Sequence, residues 1–267
     1  MSRLALGAQP VTGPTTPPAP KPARPGERHI GYFEASAYPL TSLLFVVPLM
    51  VAYEVGTRWY ASDPVSHVQQ RIVAFNLIQQ FFALMGATGQ YMPAGAVASI
   101  LVAWHLARGD GWAARPTVLL GMAAESAMYA VPLVALGYVF QHYLPLDTPA
   151  GGGPRALLVL SIGAGIYEEL VFRLVAFNVL HFLLIDVFRW PRMVALPLMV
   201  LTSAVAFSLY HYTPPATEPF QWESFLFRGL AGIYFGLIFV TRGFGLTAGA
   251  HAGYDIAIVL LRALPPG

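Results

Sequence analysis

The stretch IYEELVFR, residues 166–173, sets two adjacent glutamates and an arginine into a run that is otherwise apolar. Extended to residues 156–185 (ALLVLSIGAGIYEELVFRLVAFNVLHFLLI), the run carries no formal charge besides Glu168, Glu169 and Arg173. A helix needs about 20 apolar residues to cross roughly 30 Å of hydrocarbon, so this run is long enough to span a bilayer and to tilt or protrude. The charges therefore sit inside a membrane helix, and the fold follows from that reading.

The remainder of the chain agrees. Of its 267 residues, 56% are hydrophobic and 10% charged, with a mean hydropathy of +0.59. Soluble domains carry about 25% charge. The expected fold is all-α: a polytopic transmembrane bundle of about seven to eight helices. A net charge of +2 with no basic cluster gives nucleic acid no purchase. The absence of cysteine excludes disulfides, thiolate catalysis and Cys-based metal sites. Residues 1–30 are Pro-rich and lack a long apolar run, so they are expected to form a disordered tail without a cleavable signal. Residues 31–267 are then the transmembrane domain, with a motif-bearing core at about 155–262.

Apolar spans are expected at about 37–58, 93–107, 117–142, 156–185, 193–212, 224–241 and 244–262. Residues 71–90 are ambiguous: they are apolar but carry Asn76, Gln79 and Gln80. They either span or lie in the interface as an amphipathic helix. The positive-inside rule separates the two. With the tail cytoplasmic and 71–90 interfacial, nine bases fall inside (Arg3, Lys21, Arg24, Arg28, Arg108, Arg115, Arg189, Arg192, Arg242). Five then fall outside (Arg58, Arg71, Arg155, Arg228, Arg262). With 71–90 spanning, the bias disappears. The count favours seven spans.

Charges inside spans cost several kcal/mol and usually pair or mark a reaction site. Glu169 and Arg173 are four apart, with the acid first, the favourable order for an intrahelical pair. Glu168 lies about 100° round the helix, outside that pair, and is available as a general base toward water. The alternative is an ion pair that only fixes helix register, with Glu168 a bystander. Downstream, AFSLYHY places Phe207 and His211 on one face, and GAHAGYD places His251 and Asp255 on one face. Gly245, Gly249 and Gly253 form a ridge on roughly the opposite side of that last helix, where helices can approach closely. Here too a packing role is the alternative. Together, two glutamates, two histidines and an aspartate on three spans would make a polar site with a base, donors and candidate Zn²⁺ ligands in Glu168, His211, His251 and Asp255.

These three pieces resemble the motifs of the CPBP intramembrane proteases, also called the CAAX-protease and bacteriocin-processing or Abi family: EExxxR, FxxxH, and HxxxN or HxxxD. They stand here as Glu168-Glu169 with Arg173, Phe207 with His211, and His251 with Asp255. The resemblance implies a membrane endopeptidase, acting on a membrane protein or lipidated peptide within the lipid bilayer. It implies that Glu168 activates water, helped by His211, while His251 and Asp255 stabilise the oxyanion or orient the site. Glu169, Arg173 and Phe207 would support it, and Zn²⁺ is an implied but unsettled cofactor. Asp255 stands where eukaryotic-type members typically have asparagine. An ionised aspartate cannot donate a hydrogen bond, which favours a metal-binding or His-orienting role. The expected location is the inner membrane of a bacterium.

The remaining polar residues read more simply. Glu125 is expected to pair with a base on another helix. His105 and His181, near span ends, are expected to be interfacial, and Pro48, Pro132 and Pro197 to kink their helices. The Pro-rich loop at 211–223 is a candidate for shaping substrate access. A non-catalytic binding or bacteriocin-immunity protein of the same fold is the second reading. A transporter or proton relay is the third, disfavoured because the two halves show no inverted repeat.

Overall fold

The computed structural model describes residues 30–63, 68–140, 153–212 and 219–263. The tail and the middle of the 211–223 loop lie outside the described residues. Among those described, the chain is helical throughout, in nine segments: α1 (Tyr32–Ser36), α2 (Pro39–Tyr60), α3 (Val73–Leu84), α4 (Met92–Arg108), α5 (Pro116–Phe140), α6 (Pro154–Val187), α7 (Arg192–Tyr210), α8 (Trp222–Arg242) and α9 (Phe244–Ala263). Six of them, α2 and α5 to α9, are long and apolar enough to cross a membrane. The expected short second span is α4, at 17 residues. The ambiguous 71–90 region contains only the 12 residues of α3, about 18 Å of helix, too short to cross. Helix α1 is a single turn that the hydropathy pattern does not announce.

Proline opens α2, α5 and α6 and lies in the first turn of α4, where its missing N–H costs nothing. Gly109, at φ 69°, closes α4 in the left-handed conformation that glycine adopts without strain. Helix α6, at 34 residues, is the long span expected around the two glutamates. It is not uniformly α-helical. It widens into π-helical turns at Leu170–Val175 and Phe182–Val187. Such widening frees backbone groups and is frequent at functional sites. Here Ser203 Oγ on α7 donates to the Phe172 carbonyl at 2.6 Å.

Helix α9 packs against α6 and α5 through small residues. A Cβ on Gly165 would lie 2.6 Å from both the Ala248 carbonyl oxygen and the Ala252 nitrogen. The glycine ridge of α9 does what its spacing implies: Gly245 meets Met122 and Ser42, and Gly249 meets Ser126 and Phe45. Gly165 against Ala248 and Ala252 at the α6–α9 crossing brings the two helices that carry the motif charges close together.

Glu125 finds its partner, but away from those charges. Arg242 Nε and Nη2 each donate to its carboxylate at 2.7 Å, and Tyr32 Oη donates to it at 2.5 Å. Arg242 also reaches the Phe33 carbonyl (3.1 Å) and Ser36 Oγ (2.9 Å), so one arginine fastens α1 to the interior of α5 and the end of α8. Burial and the Glu125 carboxylate push the Tyr32 hydroxyl up to about 12. Glu125 is thus a structural residue and does not join the other motif carboxylates. His105 departs from expectation: it is buried, not interfacial, with its ring against the Trp112 face at 4.5 Å.

The α6–α9 crossing makes a direct prediction. Gly165→Ala should lower the thermal midpoint in detergent by the equivalent of about 1–3 kcal/mol, because the new methyl meets backbone that cannot yield. Gly95→Ala, whose methyl meets nothing within 4 Å, should leave the midpoint unchanged or raise it. Equal midpoints for Gly165→Ala and wild type would contradict the close approach.

Candidate active site

The site is assembled from the middle of α6, the C-terminal end of α7, the middle of α8 and the first half of α9. Glu168 and Glu169 end the regular part of α6, just before the π turn. Both are buried, as are Arg173 and His251. Charges in such a place persist only if they satisfy one another.

Glu169 is the hub. Its Oε1 accepts from His251 Nδ1 at 2.7 Å and lies 3.1 Å from Arg173 Nη1. The arginine contact is one of charge rather than an aligned hydrogen bond. Arg173 Nη2 donates to the Gly232 carbonyl on α8 at 3.1 Å. The Phe207 and Phe235 rings lie against its guanidinium at 4.6 and 5.6 Å. The i,i+4 pair expected from the sequence is present, but Glu169 serves a second partner that sequence spacing does not reveal. The arginine is held by aromatic faces, which suit a weakly hydrated planar cation.

His251 stands among three carboxylates. With Nδ1 given to Glu169, its Nε2 faces Glu168 Oε2 at 3.8 Å and Asp255 Oδ2 at 3.6 Å. Both distances exceed a hydrogen bond, and a water or substrate atom set to the side of each pair would reach both groups. The ring stacks on Phe235 at 4.5 Å with an 18° interplanar angle, so its plane is set by packing as well as by Glu169. Glu168 is not wholly unpartnered: Tyr210 Oη donates to its Oε1 over a long 3.4 Å. Asp255 is the most exposed of the three acids, its side chain 28% accessible.

His211 follows the last residue of α7. Its Nδ1 lies 2.9 Å from the Phe207 carbonyl, one of the acceptors a helix end leaves unsatisfied. A carbonyl only accepts, so Nδ1 carries the proton and the lone pair of the neutral ring is on Nε2. Phe207 touches both histidines, at 5.1 Å from His211 and 5.9 Å from His251. Phe207, Phe172 and Tyr210 form a ring cluster that walls the site on the α6–α7 side. The structure thus brings together Glu168, Glu169, Arg173, His251 and Asp255 by direct contact, and links His211 to them through Phe207 and Tyr210. Sequence reading missed the roles of Tyr210 and Phe235. Tyr210 shares a helix face with Phe207, so its position was readable. Phe235 lies on a helix without a motif and gave no signal.

Zn²⁺ needs three ligands near 2.0–2.2 Å. Among the described residues, no three His, Asp or Glu side chains are grouped to hold a metal ion. Each histidine gives Nδ1 to a carboxylate or a carbonyl, which leaves Nε2 as the ring atom that would face an ion.

Six long apolar helices mark an integral membrane protein, with buried carboxylates and histidines gathered among them. Residues 152–257, under half of the chain, match the family model described as Type II CAAX prenyl endopeptidase Rce1-like, so this segment is similar to that family. The match covers all three motifs and stops short of the N-terminal helices. No curated protein and no solved structure matched the chain.

The Glu169 hub can be tested by stranding it. Arg173→Met removes the countercharge and should cost about 3–5 kcal/mol of stability, read as a lower unfolding midpoint. Adding Glu169→Gln should restore much of that midpoint without restoring peptidase activity, since His251 would still lack its carboxylate.

Proposed function

We propose that the protein hydrolyses a peptide bond with a water molecule activated by Glu168. The observation that carries this reading is the buried Glu168 carboxylate, whose Oε2 faces His251 Nε2 at 3.8 Å while Glu169 takes both the histidine Nδ1 and Arg173. A water beside Glu168 and His251 gives its proton to Glu168 as its oxygen attacks the carbonyl carbon. Glu168 then passes the proton to the leaving amine nitrogen, so the balance closes within one carboxylate. His211 Nε2 presents a lone pair that helps to orient or deprotonate the water. His251 faces the developing oxyanion and is held by Glu169 on one side and Asp255 on the other. Asp255 thereby acts on His251 rather than donating to the oxyanion itself, the role an ionised aspartate is able to fill.

The substrate on this reading is a membrane-anchored protein or lipidated peptide, because its scissile bond has to reach a site enclosed by membrane helices. No step is routed through a metal. On this reading the N-terminal tail is cytoplasmic, which the distribution of arginines around the spans supports.

Glu168→Gln keeps the shape and removes the base. It should lower kcat by about 10²- to 10⁴-fold, measured on a membrane-anchored peptide with the purified protein in liposomes. Wild-type turnover in that variant would falsify the proposal. Dialysis against a strong chelator should leave turnover intact; loss of activity with recovery on added Zn²⁺ would instead assign a metal to the site.

A further inference from the structure

Helices α2 and α3 lie outside the matched segment 152–257, yet they pack against the residue beside Glu168. Arg71, just ahead of α3, pairs with Glu54 on α2 at 2.7 Å and donates to Gln69 Oε1 at 2.6 Å. Its guanidinium lies against the rings of Tyr53, at 5.0 Å, and Phe75, at 4.4 Å. Tyr167, the residue before Glu168, packs on both rings, at 5.4 and 5.0 Å, and its hydroxyl faces the Glu54 carboxylate. The Tyr53 hydroxyl faces Arg71 and the Ile72 backbone. The start of α3 is thereby fixed to both α2 and α6.

The first four N–H groups of a helix have no partner within it. Ile72, the N-cap of α3, is apolar and offers no side-chain cap. The N–H of Ala74, the second residue of α3, meets the Tyr210 hydroxyl oxygen. Tyr210 in turn donates to Glu168 Oε1 over 3.4 Å. A chain therefore runs from the Ala74 amide through the Tyr210 hydroxyl to the Glu168 carboxylate, with each hydrogen directed toward the acid. Hydrogen bonds in such a series polarise one another. Tyr210 is buried, and its ring is set between Phe172, at 5.2 Å, and His211, at 4.9 Å, so its hydroxyl has little freedom to move.

The two oxygens of Glu168 have different neighbours. Oε1 accepts from Tyr210, and Oε2 faces His251 Nε2 at 3.8 Å. The last torsion of a glutamate is broad, so a carboxyl group held at neither oxygen turns readily. The other charges near it are Glu169 and Arg173 on its own helix and His251 and Asp255 on α9. They act on it through charge, which sets no direction for Oε1. We propose that Tyr210, held by the first turn of α3, is a positioning residue for Glu168: it keeps Oε1 occupied and Oε2 turned toward the reacting water. Positioning of this kind contributes to the rate without contact with the substrate. The inference rests on the hydrolytic reading, and adds that α3 supports the general base from outside the matched segment.

Tyr210→Phe removes one oxygen and keeps the ring. With the purified protein in liposomes and a membrane-anchored peptide, it should lower kcat about tenfold and leave KM within about twofold. Ala74→Pro removes the amide hydrogen at the second position of a helix, where α4 itself carries Pro93. It should lower kcat about threefold through the same chain. The double variant should be no slower than Tyr210→Phe alone, because the amide acts only through the hydroxyl; independent packing damage would multiply the two losses. Wild-type kcat in Tyr210→Phe, a loss confined to KM, or multiplied losses in the double variant overturns the positioning role. Tyr210→Phe decides the matter by itself where proline disturbs the buried start of α3. Turnover surviving in Glu168→Gln would instead sink the hydrolytic reading, so the two failures are read on different variants.

Discussion

The carboxylate of Glu169 is the constraint on which the rest of the site depends. It is fully buried, and an unpaired charge there would cost more than the fold could tolerate. Its two partners come from its own helix and from α9, and Arg173 carries the linkage on to the Gly232 carbonyl of α8. Three helices are thus registered by one acidic group. Isolated buried ion pairs are weak evidence for stability, because desolvation offsets the attraction. Their strength as a registration device is different: a shift of α6 against α9 by one residue would leave Glu169 facing methyl groups. The geometry at His251, and hence the gap in front of Glu168, is fixed by that penalty.

Close approach of the backbones makes this registration possible. Gly165 lies against the Ala248–Ala252 turn of α9, three residues before Glu168 and within one turn of His251. The smallest side chains of both helices therefore sit beside the largest charges. Immediately after the glutamates the helix widens, and the Phe172 carbonyl is given to Ser203 on α7. Widening at that point turns Arg173 toward the Phe207 and Phe235 rings while Glu169 stays against α9. A rigid crossing on one side of the glutamates and a π turn on the other divide α6 into a scaffold half and a half that adapts to α7.

How much of this was legible in the sequence depended on the range of each interaction. Six of the seven expected spans, the Glu169–Arg173 pair and the His251–Asp255 pair follow from local periods, while α4, expected as the seventh span, is shorter than those six. The decisive contact, Glu169 with His251, joins residues 82 apart and has no local signature. Glu54 shows the same limit more sharply. It lies four residues before Arg58, the spacing that favours a helical pair, yet it bonds Arg71, 17 residues on. Arg71 offers it aromatic neighbours and burial that Arg58, exposed on the surface, does not. Helical spacing identifies available partners; burial chooses among them. His105 was misjudged for a related reason: nearness to a helix end does not imply contact with water once a neighbouring ring covers it.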